Sequence, residues 1–129
     1  MTDKLQLKFD NDGLIPAVVQ DSETGDVLMV AWMNAEALKK TLESGRTTFY
    51  SRSRGKLWTK GEKSGHVQAV KSVRVDCDRD TLLVQVEQTG GACHLGYWSC
   101  FFQEIDDHGN LRAIAEKIFD PEDVYEAGK

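Results

Sequence analysis

Two apolar runs, Leu14 to Gln20 and Val27 to Met33, constrain what this chain can fold into more than any other feature. Both are rich in β-branched residues, and the polar stretch Asp21-Ser22-Glu23-Thr24-Gly25-Asp26 between them supplies turn chemistry, so they read as a β-hairpin. Pro16 lacks a backbone donor, which predicts that the first strand lies at a sheet edge. Asn34 is a good N-cap for the segment AEALKKTLES, Leu38 and Leu42 share one helical face, and Gly45 supplies a C-terminal stop. One helix is expected there.

Further strands follow. Arg46 to Ser51 and Lys56 to Lys60 flank Ser51-Arg52-Ser53-Arg54-Gly55 as a second hairpin, and Gly61 to Gly65 is a polar loop. Val67, Ala69 and Lys71 then alternate with Gln68, Val70 and Ser72, while Val73 and Val75 continue the first set. Thr81 to Gln88 and Tyr97 to Ile105 read as strands, the latter ending at the turn Asp106 to Asn110. Residues 111–119 fit strand or helix equally, and Asp120-Pro121-Glu122 is a helix-start signal in what also reads as a frayed acidic tail. With no internal repeat or linker, residues 1–129 form one domain of β-rich α+β class, a small twisted sheet or pseudo-barrel with one principal helix.

Composition narrows the function classes. At 129 residues, 40% of them hydrophobic and 29% charged, the chain can bury its own core without disulfides. No stretch approaches the ~18 apolar residues of a membrane span and the start lacks a signal-peptide core, so a cytoplasmic protein without membrane association is expected. A formal charge of −5 argues against nucleic-acid binding, which depends on neutralising many phosphates, but local basic patches still suit a small phosphorylated ligand.

The sharpest motif is Asp76-Cys77-Asp78-Arg79-Asp80, where alternation places three carboxylates on one side and Cys77 on the other. Hard oxygens suit Mg²⁺, Mn²⁺ or Ca²⁺ while thiolates select zinc-like ions, so two separate metal sites are expected. A fully extended strand would hold the α-carbons of Asp76 and Asp80 roughly 13 Å apart at ~3.3 Å per residue, too far to share one ion. The chain must therefore curl near Arg79. The structural alternative is a solvated acidic turn. An EF-hand loop is disfavoured, because Thr81 stands where a glycine is needed and the flanks read as strands.

Cys93 and Cys100 stand six residues apart around His94, in a loop that Gly90, Gly91 and Gly96 allow to bend back. Together with Cys77 they count three thiolates, the ligand number of a catalytic zinc that keeps one position open; buried structural cysteines are the alternative. Three is also an odd number for a closed disulfide framework. Arg52, Arg54, Lys56 and Lys60 surround Trp58, a combination that can hold phosphates while the indole stacks on a base, or equally a solvated hairpin with one aromatic packed inward. His66 and His94 flank glycine-rich loops, where a titrating group can serve proton transfer, and His108 sits in a solvent turn.

Taken together, LKFDNDGLIPAVVQDSETGDVLMVAWMN, YSRSRGKLWTKGEKSGH, VDCDRDTLLVQVEQ and GGACHLGYWSCFF resemble the successive signature segments of the phosphoribosyl-AMP cyclohydrolases, from about Leu7 to Phe102. The resemblance implies an intertwined homodimer in which Cys77 of one chain joins Cys93 and Cys100 of the other on Zn²⁺, while Asp76, Asp78 and Asp80 hold Mg²⁺. It implies hydrolytic opening of the adenine ring of 1-(5-phosphoribosyl)-AMP in histidine biosynthesis, with the nucleophile from zinc-activated water. Arg52, Arg54, Trp58, Lys60 and His66 would then bind the substrate and His94 would shuttle a proton. Leu95, Tyr97 and Trp98 depart from the family pattern, which carries Thr and one or two arginines there, and this removes any phosphate contact expected from those positions.

Overall fold

In the computed structural model, which describes residues 5–125, β1 (Ile15–Asp21) and β2 (Val27–Met33) form the expected antiparallel hairpin. They are followed by α1 (Ala35–Ser44), β3 (Thr48–Ser51), β4 (Lys56–Thr59), β5 (Gln68–Val75), β6 (Leu82–Gln88), β7 (Gln103–Ile105), β8 (Leu111–Ala113) and α2 (Pro121–Tyr125). The principal sheet has the order β2-β1-β6-β5, while β3-β4 and β7-β8 are separate two-stranded hairpins. The fold is thus strand-rich α+β. The described strands close no barrel, since β2 and β5 remain the edges of the four-stranded sheet, and the pseudo-barrel alternative falls away.

Strand β1 is central and not at an edge. It pairs antiparallel with β2 and parallel with β6, and the β6 ladder begins only at Ala17↔Leu82. Pro16 is tolerated because it lies at the start of the strand, before a donor toward β6 is required. The alternation of β1 sends Ile15, Ala17 and Val19 to the core face, and β6 matches it with Leu82, Val84 and Val86. Leu28, Met29 and Met33 of β2, Ala37 and Leu38 of α1, and Phe49 of β3 complete the core.

The α1 helix forms as its caps require: Asn34 accepts a hydrogen bond from the Ala37 amide at 2.8 Å, and Gly45 takes a left-handed φ of 75°. Leu38 is buried, but Leu42 on the same face is exposed. In β5 the register shifts between Val70 and Ser72. This bulge changes the phase, so that Gln68 and Val70 before it and Val73 after it all turn toward the core. Strict alternation had put Val73 with Lys71. The strand expected over Tyr97 to Ile105 is shortened to Gln103–Ile105, because Tyr97 and Trp98 spend their carbonyls on the preceding loop and the Cys100 amide is tied to Leu28. Residues 111–113 pair as a strand, and Asp120 caps α2 by accepting from the Glu122 amide at 3.0 Å.

Gln68 is fully buried at the junction of the sheet and the β3-β4 hairpin. Its carbonyl accepts from the Thr47 hydroxyl at 2.8 Å and its amide donates to Gln88 Oε1 at 2.8 Å. Gln88 in turn donates to the carbonyls of Thr89 and His66. Gln68→Leu is expected to cost about 2–4 kcal/mol in chemical denaturation, because two buried polar groups lose their partners. An unchanged unfolding midpoint would show that the network carries no net stability.

Candidate metal and ligand site

The acidic motif folds as a turn between β5 and β6, with Arg79 at a positive φ of 63°. The Asp76 carboxylate accepts from the amides of Asp80 and Thr81 at 3.1 and 3.3 Å, and the Arg79 amide donates to the Asp76 carbonyl at 3.0 Å. This is the curl that a shared ion demands. One oxygen from each of Asp76, Asp78 and Asp80 lies within 4.8 Å of the others, and all three residues are exposed. The Arg79 guanidinium does not neutralise them, since it donates to Gln6 Oε1 at 2.9 Å. Among the described residues none of the three acids forms an ion pair. Three carboxylates gathered without a side-chain cation form an all-oxygen donor set that fits a hard divalent ion. Both flanks are strands, so no EF-hand is present.

The thiol loop is built differently. The amides of Ala92 and Cys93 donate to the carbonyls of Trp98 and Tyr97 at 2.9 and 3.1 Å, so the chain doubles back, and the Cys100 amide is tied to Leu28 of β2 at 2.7 Å. Gly91 is required here: a Cβ would come within 2.6 Å of the Phe119 ring and 2.7 Å of the Tyr97 carbonyl. The result sets Cys93 and Cys100 in electrostatic range of each other. Burial of the Cys100 thiol, then the neighbouring Cys93, push it up to about 11 against the opposing Lys60 cation, although the residue as a whole is exposed. A metal ion binding there must displace protons. Cys77 is exposed on the acidic turn and does not join these two within the chain: the acidic triad is the only group of three or more potential ligands among the described residues.

Beside this loop lies a cleft of about 320 Å³ walled by Arg54, Trp58, Lys60, Lys63 and His94, with Thr59, Gly61 and Glu62. Four of the residues singled out from the sequence, Arg54, Trp58, Lys60 and His94, converge there. Trp58 also packs on Phe49, with ring centroids 4.9 Å apart, so one side of the indole is core and another borders the cleft. Arg52 is elsewhere, its guanidinium 4.6 Å from the Trp32 ring centroid. His66 lies under the glycine loop, with Nδ1 3.2 Å from the Gly91 carbonyl and its ring edge-on to Phe119. Lys60 donates to the Ala92 carbonyl at 2.5 Å, and its burial holds its pKa below the usual lysine range despite the two nearby thiols.

Lys63, on the cleft wall, was not singled out from the sequence; its polar loop gave little signal until folding brought it to the same cleft as Arg54. Phe119 was missed as well. Its segment crosses the thiol loop, with the Ile118 amide donating to Gly96 at 2.8 Å. Of the three departures, Tyr97 stacks on Phe102 with ring centroids 3.6 Å apart, the Trp98 indole donates to Asp26 at 3.0 Å, and Leu95 is exposed.

The site thus combines, on a strand-rich α+β domain, an acidic turn that could hold a metal ion, a separate pair of cysteines and a basic, aromatic cleft. The profile of the family described as phosphoribosyl-AMP cyclohydrolase matches residues 29–102. Proteins named phosphoribosyl-AMP cyclohydrolase are similar over most of the chain. The one from Pelotomaculum thermopropionicum is 60% identical over 92% of both chains. The one from Methanothermobacter thermautotrophicus is 59% identical over 93% of this chain and 88% of its own. The one from Haloquadratum walsbyi is 50% identical over 95% and 90%. The chain belongs to the phosphoribosyl-AMP cyclohydrolase family.

Proposed function

We propose that this protein opens the adenine ring of 1-(5-phosphoribosyl)-AMP by hydrolysis of the N1–C6 bond, a step of histidine biosynthesis, and that it does so as a homodimer. The observation that carries this reading is the convergence of His94, Trp58, Arg54, Lys60 and Lys63 on one cleft, with Lys60 also in electrostatic range of Cys93 and Cys100. Zinc would be held by Cys93 and Cys100 with Cys77 of a second copy, and Mg²⁺ by Asp76, Asp78 and Asp80. The failure of Cys77 to reach the other two thiols within one chain supports the sharing. When bound, zinc supplies acidification of water to a pKa of about 7, and Mg²⁺ supplies a template for substrate oxygens.

The chain's own groups do the rest. Arg54 and Lys63 offer charge-assisted hydrogen bonds to phosphate, and the free side of the Trp58 indole offers a stacking surface to the purine. Alkylation at N1 leaves the ring cationic and C6 electrophilic. His94, exposed on the cleft wall, takes one proton from the water that attacks C6 and returns it to N1 as the N1–C6 bond breaks, while the hydroxyl left on C6 gives its remaining proton to solvent and becomes the carboxamide carbonyl.

Incubating the purified protein with phosphoribosyl-AMP and Mg²⁺, before and after stripping and restoring zinc, tests this directly through the ultraviolet change on ring opening. Turnover that disappears with zinc and returns with it is expected. A folded, metal-loaded protein without turnover would overturn the activity.

A further inference from the structure

Lys60 stands apart from the other cations of the cleft. Its amide donates to the Thr47 carbonyl at 3.0 Å, just beyond the β4 ladder, so its backbone is fixed to the β3-β4 hairpin. Its ammonium then reaches across to the Ala92 carbonyl at 2.5 Å, a charge-assisted bond from one structural unit to another. Ala92 is buried and immediately precedes Cys93, and its own amide is already committed to Trp98. The cation is also in electrostatic range of both Cys93 and Cys100. Arg54 and Lys63, by contrast, are exposed on the same cleft.

We infer that Lys60 is a positioning residue for the thiol pair and not a phosphate ligand: it pins the Ala92 carbonyl, and with it the loop that carries Cys93, and places one positive charge beside the two sulfurs. This rests on the thiol-site reading above. Two thiolates brought together, with a third from another chain, carry more negative charge than one divalent ion neutralises. A half-buried ammonium offsets the surplus more effectively than a solvated one, because its field is less screened. The same bond limits how far the loop can open when the thiols have no ion to hold them.

The test uses the intact protein with zinc replaced by Co²⁺, whose sulfur-to-metal absorption reports thiolate ligation. Lys60→Met keeps the apolar stem and removes the charge and the donor; Lys60→Arg keeps both. In Lys60→Met, zinc affinity by chelator competition is expected to fall tenfold to about a hundredfold, the range for partners that orient metal ligands. The Co²⁺ band should weaken or shift and KM for the nucleotide should stay within about twofold, with Lys60→Arg recovering much of the affinity. An unchanged band and affinity with a raised KM would overturn the inference and return Lys60 to phosphate binding. Absence of a thiolate band in the unaltered protein would overturn the metal reading itself, and this inference with it.

Discussion

Cys93→Ala and Cys100→Ala are each expected to lose zinc and to lower turnover by roughly a thousandfold or more. A Lewis-acid metal contributes several kcal/mol to a hydrolytic barrier, and each ~1.4 kcal/mol is a factor of ten. Metal content by mass spectrometry and ring opening by ultraviolet absorbance read the two effects separately. Cys93 is buried, so its variant also removes a core sulfur; Cys100, an exposed residue, gives the cleaner comparison. Either variant keeping both zinc and full turnover would end the thiol-site assignment. Sharing of the thiols between two copies, as proposed, makes a further demand. Mixing an inactive Cys77→Ala chain with an inactive Cys93→Ala chain should recover about a quarter of the activity once subunits exchange, because half of the dimers are then mixed and each has one intact site. Mixed dimers with no recovered activity would show that Cys77 is not donated across the interface.

Asp78→Asn should produce the second large effect. Asp76 also braces its own turn through the amides of Asp80 and Thr81, so changing it confounds ligation with folding. Asp78 brings its carboxylate to the triad and leaves that bracing to Asp76. Removing one of three charges is expected to weaken divalent-ion binding about a hundredfold, since affinity at all-oxygen sites follows ligand charge. Turnover should fall at limiting Mg²⁺ and recover in part at high Mg²⁺, while zinc content stays constant. An unaltered Mg²⁺ dependence would reduce the triad to a solvated turn. A simultaneous loss of zinc would show that the acidic turn and the thiol loop are coupled through Cys77.

The ligand chemistry was legible in the chain because it is local. Three acids within five residues can meet only if the backbone reverses, and the left-handed Arg79 is where it does. Glycines around Cys93 forecast a loop that doubles back, and Gly91 turns out to be required by Phe119 and Tyr97 pressing on either side. The basic hairpin was less legible. Arg52 and Arg54 are two residues apart and chemically alike, yet one stacks on Trp32 and the other faces the cleft. His66 lies beneath Gly91, with Nδ1 3.2 Å from its carbonyl, a contact that no local pattern forecast.

Sequence by itself determined the hairpin of β1 and β2, the capped helix α1, the strand-rich class and the three acids that gather in one turn, because turn chemistry, capping and side-chain period act over a few residues. Tertiary structure alone decided that β1 runs parallel to β6 in the middle of the sheet, that a bulge rephases β5, and that Lys60, Lys63 and His94 line one cleft. Those outcomes depend on which apolar faces find one another across some sixty residues of intervening chain, and a local pattern holds no record of its distant partner.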